Sequence, residues 1–128
     1  ARELALANGL ADRARFFQAD LVALPERVPG SGGASCAALA GFDGLLANLY
    51  GDLVRAHAGD LSARLRPGGW FVVTGCRSEQ RASIRSALEA ADLGVDQVRT
   101  RGRWDALAGR RRHGEDEIGL ERKKGFMT

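Results

Sequence analysis

The chain has 128 residues, of which 45% are hydrophobic and 27% charged, and a net charge of +3. Such values describe one globular domain with a core of its own, exclude disorder of the whole chain, and leave no apolar run near the ~20 residues of a membrane span. Arginine supplies all but two of the 19 basic residues, a bias typical of GC-rich coding, so the charge by itself gives only weak, salt-sensitive attraction to acids.

Arg2 to Ala7 read as the last turns of a helix, with Asn8-Gly9 as its left-handed stop. Arg13 to Ala19 read as a short strand around Phe16-Phe17, ending at Asp20-Leu21. Residues 25–41, PERVPGSGGASCAALAG, break the composition with Gly, Ser, Ala and Pro and read as a flexible surface loop. The G-S-G-G run within it is no phosphate loop. Pro29 precedes it and no Lys follows.

Phe42 to Leu49 is a nearly continuous apolar strand, the pattern of a parallel strand covered on both faces. A helix follows from Gly51, with Asp52 as its expected N-cap and Val54, Ala58, Leu61 and Leu65 as its apolar stripe. Arg66-Pro67-Gly68-Gly69 reads as a type II turn and Trp70 to Gly75 as a third strand. Ser78 is the expected cap of the next helix, which buries Ile84, Ala87, Leu88 and Ala91 and stops at Gly94. Val95 to Arg101 and Arg103 to Ala108 form a hairpin about Gly102, and residues 113–128 read as a mobile charged tail. Alternating strands and helices predict an α/β fold with a mostly parallel sheet and an antiparallel hairpin at its end.

Cys36 and Cys76 form no C-x-x-C, and His57 and His113 stand far from both in sequence, so no metal site is expected. The first residues carry no apolar secretory core, which suggests free thiols and a cytoplasmic setting. His57 reads as a rim or half-buried side chain and Cys76 as a small apolar filler.

Four stretches, ARELALANGLADR, FDGLLANLYGDLV, LRPGGWFVVTG and TRGRWDALAGRR, resemble the C-terminal half of class I S-adenosylmethionine-dependent methyltransferases. More narrowly they are similar to the PrmA-type ribosomal protein L-eleven methyltransferases, over residues 1–112. The resemblance implies a Rossmann-like fold, no metal, S-adenosylmethionine as cofactor, and amines of a ribosomal protein as acceptors: lysine side chains or the N-terminal amine. The family's glycine-rich loop and ribose-binding acid have no counterpart here. The chain therefore reads as a methyltransferase lacking its N-terminal strands, and it is expected to bind the cofactor poorly alone.

Asn48, at the carboxyl end of a central strand, is the first candidate, for catalysis and for cofactor binding. Its side-chain carbonyl can accept an amine hydrogen and aim the nitrogen lone pair at a methyl group, which is catalysis by orientation. Asp20, at the same expected sheet edge, is the second, since the superfamily places there an acid for the adenine amino group. Tyr50, Leu49 and Thr74 are the candidate substrate-binding residues, with Gly75 beside them. Arg99, Arg101, Arg103, Arg110, Arg111 and Arg112 form a basic patch suited to weak contact with RNA or an acidic surface, and Trp104 within it reads as core or interface. Two other readings compete. Ala47-Asn48-Leu49-Tyr50 loosely echoes the word of adenine methyltransferases without its prolines, and a truncated methyltransferase could serve as a non-catalytic binding module.

Overall fold

A computed structural model describes residues 2–10, 12–14, 18 and 40–113. The chain divides into two compact units, residues 1–39 and 40–128. In the first, helix α1 spans Arg2–Ala7 and stops where expected, with Gly9 at φ +69° and the Asn8 side chain donating to the Leu4 carbonyl at 2.7 Å. Most of the expected strand at 13–19, the candidate Asp20, most of the 25–41 loop, Cys36 and the charged tail after His113 lie outside the described residues.

Among its described residues the second unit is a four-stranded sheet with two helices. Strand β1 (Phe42–Asn48) leads to helix α2 (Gly51–Arg64), and strand β2 (Leu65–Arg77) leads through a 3-10 turn (Ser78–Gln80) to helix α3 (Arg81–Ala90). Strands β3 (Leu93–Arg101) and β4 (Trp104–Arg111) close the unit as the expected hairpin, with Gly102 at φ +62° in its turn. The strand order is β1-β2-β4-β3. Only β1 and β2 are parallel; β4 is antiparallel to both β2 and β3. Among the described strands the sheet is therefore mixed rather than mostly parallel, because the hairpin inserts β4 next to β2 and puts β3 outside it.

Phe71, Val73 and Leu107 turn inward on one face and are essentially fully buried, together with Val54 of α2, Ile84 and Leu88 of α3 and Leu93. Burying each such side chain is worth about 1.5–3 kcal/mol. β1 is less covered than its apolar run predicts: Ala47 is buried, whereas Leu46 on the other face is 74% exposed. The Arg66–Gly69 turn does not separate a helix from a strand. It is absorbed into β2 as an irregularity between the Phe42–Leu65 and Gly44–Trp70 pairs, and Gly68 at φ +81° supplies the type II geometry.

Three local expectations change. Asp52 does not cap α2: Tyr50 holds the N-cap position, without a side-chain cap bond, and Asp52 pairs with Arg55 from the first turn. Ser78 does not cap α3, because its hydroxyl donates to Asp105 instead, at 2.7 Å. α3 ends before Gly94, at the Ala91-Asp92 turn, where Asp92 takes φ +65°; a short polar side chain tolerates that conformation. Gly94 lies inside β3, and its carbonyl comes close to Gly109 of β4. A Cβ on Gly109 would stand 1.7 Å from that oxygen. Gly109→Ala is expected to lower stability by about 2 kcal/mol through forced backbone separation, read as a fall in the midpoint of thermal unfolding followed by circular dichroism.

Candidate active site

β1 and β2 run in parallel, and their pairing ends with Asn48 against Thr74, beyond which β2 runs on to Arg77. In open α/β sheets this carboxyl edge is where ligands bind. The antiparallel β4 starts at that same edge, with Trp104 opposite Arg77 and Asp105 opposite Cys76. A cleft of about 600 Å³ opens there, lined by Asn48, Leu49, Tyr50, Leu53, Thr74, Gly75 and Trp104.

The polar centre of the cleft is the Asn48 side chain. Thr74 donates its hydroxyl to Asn48 Oδ1 at 3.2 Å. A carbonyl oxygen has two lone-pair directions, so this bond orients the amide and leaves acceptor capacity for a ligand. The Leu49 N–H donates to the Thr74 carbonyl at 3.2 Å and carries the pairing one residue past the strand. Gly75 keeps the space open. It sits at φ +84° where the β2–β4 register shifts, and a Cβ there would lie 2.8 Å from Asn48 Oδ1 and 3.0 Å from the Leu49 carbonyl oxygen. Tyr50 (74% exposed), Leu53 and Trp104 (47% exposed) supply aromatic and apolar walls.

Four of the sequence candidates, Asn48, Leu49, Tyr50 and Thr74, thus meet in one cleft, and Gly75 joins them. Leu53 and Trp104 are additions. Trp104, expected in the core or an interface, enters the cleft because β4 runs antiparallel to β2 and begins where β2 ends. His57 is not in the cleft; it lies within α2, half-buried, with Nδ1 3.4 Å from Asp60. Cys76 is buried and its thiol is pushed up, first by burial and then by the Asp105 charge, which disfavours the reactive thiolate. Among the described residues no group of three His, Cys, Asp or Glu side chains could hold a metal ion, and no helix is long and apolar enough to cross a membrane.

The six-arginine patch divides in two. Arg110 donates to the Gly68 carbonyl at 3.0 Å, Arg111 to the Leu65 carbonyl, and Arg112 pairs with Glu89, so these three hold the fold. Arg99, Arg101 and Arg103 are exposed on the hairpin, without side-chain partners among the described residues.

The family model described as ribosomal protein L11 methyltransferase (PrmA) matches residues 17–112. The ribosomal protein L11 methyltransferase of Pelotomaculum thermopropionicum is 33% identical over 103 residues, covering 80% of this chain and 29% of that protein. The one from Pseudomonas putida strain F1 is 32% identical over 111 residues, covering 87% and 33%. In structure, the chain is similar to a ribosomal protein L11 methylase from Lactobacillus delbrueckii subsp. bulgaricus, with a TM-score of 0.66 and 23% identity, over 88% of this chain and 51% of that one. An O-methyltransferase family protein from Burkholderia thailandensis follows at 0.60 and 20%, over 89% and 40%. These neighbours support the class I methyltransferase fold. The chain spans a third or less of the length of these two curated relatives.

Proposed function

Because the chain belongs to the ribosomal protein L11 methyltransferase (PrmA) family, we propose that its cleft serves S-adenosylmethionine-dependent methylation of amines on a ribosomal protein. The acceptor is a lysine side chain or the N-terminal amine, and the compartment this implies is the cytoplasm. The observation that carries the reading is the Asn48 carbonyl, oriented by Thr74 at the carboxyl edge of the sheet and facing a cleft with aromatic walls.

The lining suits both reactants. Among the described residues no cationic side chain lines the cleft, and Tyr50 and Trp104 offer π faces to a positively charged centre. When bound, S-adenosylmethionine supplies an electrophilic methyl carbon on a sulfonium sulfur. Asn48 is the described residue proposed to hold it, and Asp20, outside the described residues, is proposed for the adenine amino group. Asn48 Oδ1 accepts a hydrogen from the acceptor amine and turns the nitrogen lone pair toward the reacting carbon. Tyr50, Leu49 and Thr74 shape the acceptor's approach, and Leu53 and Trp104 limit the entry of water. Arg99, Arg101 and Arg103 are the part of the basic patch free for weak contact with RNA or an acidic surface.

Among the described lining residues none is a carboxylate, imidazole or thiol. The acceptor amine must then lose its proton to water before it reacts. The expected kcat/KM rises about tenfold per pH unit and levels off only near the amine's own pKa, about 8 for an N-terminal amine and about 10.4 for lysine. A plateau already reached near pH 6 would show a base that the lining does not contain.

The direct test uses a chimera in which residues 17–112 replace the matching segment of the Pelotomaculum thermopropionicum relative. Label from tritiated S-adenosylmethionine is expected in ribosomal protein L11. Label in RNA or DNA would favour the nucleic-acid reading. A folded chimera that labels neither would favour the non-catalytic one.

A further inference from the structure

Beside the cleft, on the opposite face of β4, lies a buried carboxylate that the chemistry above does not use. The Asp105 side chain is fully shielded from solvent. It accepts hydrogen bonds from Ser78 Oγ at 2.7 Å, Thr100 Oγ1 at 2.7 Å, Arg81 Nε at 2.5 Å and a second Arg81 nitrogen at 3.2 Å. Those donors come from three places: the turn after β2, the first residue of α3, and the end of β3. The Ser78 N–H adds a bond to the Arg103 carbonyl at 2.9 Å. Everything that meets at Asp105 therefore converges on the first residues of β4.

Successive strand residues point to opposite faces. With Asp105 anchored on the helix side, its neighbour Trp104 is directed to the cleft side, where it forms a wall. The other inward positions of β4, Leu107 and Gly109, are apolar. A well-packed apolar residue is commonly as stabilising as a buried ion pair, or more so. Stability alone therefore does not call for a carboxylate at 105. What a carboxylate with several fixed donors adds is one defined position for the strand end, at the point where the strand meets the cleft.

We propose that Asp105 is a positioning residue for the cleft: by gathering Ser78, Arg81 and Thr100 it fixes the start of β4 and so sets the placement of Trp104 as the cleft wall. Its consequence for methyl transfer rests on the function proposed above, whereas the placement of Trp104 does not.

The test uses the 128-residue chain with Trp70→Phe, which leaves Trp104 as the single tryptophan. Asp105→Asn keeps the side-chain shape and removes the charge; Thr100→Val and Ser78→Ala each remove one donor. Iodide quenching and fluorescence anisotropy of Trp104 are measured well below each variant's unfolding temperature, with circular dichroism confirming the fold. Trp104 is 47% exposed in the native chain, so a released side chain has room for a roughly twofold rise in quenching. The expected result is a rise toward that limit with lower anisotropy in Asp105→Asn, and smaller changes of the same sign in the two milder variants. Folded variants with unchanged Trp104 quenching would overturn the proposal, since a purely structural anchor lowers the unfolding temperature without freeing Trp104. If Asp105→Asn does not fold, the two milder variants decide. In the chimera, Asp105→Asn is expected to raise KM for the acceptor protein more than it lowers kcat. Freed Trp104 with unchanged KM and kcat would uphold the placement and count against the cleft as the acceptor site.

Discussion

Asn48→Ala in the chimera is expected to lower kcat for methyl transfer about 100-fold, the cost of losing alignment on the order of 1 Å at a reacting centre. The loss corresponds to about 2.7 kcal/mol of transition-state stabilisation. Among the described lining residues the alanine removes the only side-chain carbonyl, and it leaves the Thr74 hydroxyl without its acceptor. Folding should suffer little, because Asn48 is exposed at the end of β1. Asn48→Asp separates orientation from charge. A carboxylate at this position still accepts an amine hydrogen, but it also stabilises the protonated ammonium form and raises the amine's pKa. The expected variant binds the acceptor more tightly, reacts more slowly at neutral pH, and shows its pH–rate profile displaced to higher pH. Steady-state kinetics on ribosomal protein L11 across pH checks both. An Asn48→Ala chimera with full kcat would remove the orienting role.

Asp105→Ala is expected to cost about 3 kcal/mol of folding stability, the low end for breaking a buried ion pair, because Arg81 keeps part of its hydration. The Arg81 guanidinium holds the Asp105 carboxyl well below the usual carboxylate range, aided by the Ser78 and Thr100 hydroxyls and opposed by burial. A carboxyl whose pKa is depressed on folding contributes its stability in full above the unfolded value, near 3.9, and loses it as the pH falls toward the folded one. The gap in unfolding temperature between the parent chain and Asp105→Ala should therefore be constant from about pH 5 to 8 and shrink below about pH 4. A gap as wide at pH 2.5 as at pH 7 would contradict this assignment. A gap that closes near neutrality would point to another group.

Much of the second unit could be read from local signals. The β1 apolar run, the α2 stripe of Val54, Ala58 and Leu61, and the Gly102 hairpin all rest on periodicity and turn chemistry within a few residues. So did four of the cleft residues, because a strand followed at once by a helix marks its own carboxyl end. The readings that changed depend on partners distant in sequence. Ser78 has the character of a helix cap, yet its hydroxyl goes to a carboxylate 27 residues away. Trp104 reads as core or interface from the sequence, and becomes a cleft wall because β4 lies between β2 and β3 and runs against β2. The arginines at 110–112 read as a patch with those at 99–103, but strand ends and Glu89 claim them. Sheet order and long-range polar pairing leave no local periodic trace, so only the folded chain displays them.

The most direct measurement of the central claim is the location of the methyl label after the chimera is incubated with tritiated S-adenosylmethionine and an equal mixture of ribosomal protein L11 and ribosomal RNA. Methyl transfer to protein amines through Asn48 predicts label on the protein, depressed about 100-fold by Asn48→Ala. Label in the RNA, or protein label indifferent to Asn48, would contradict it.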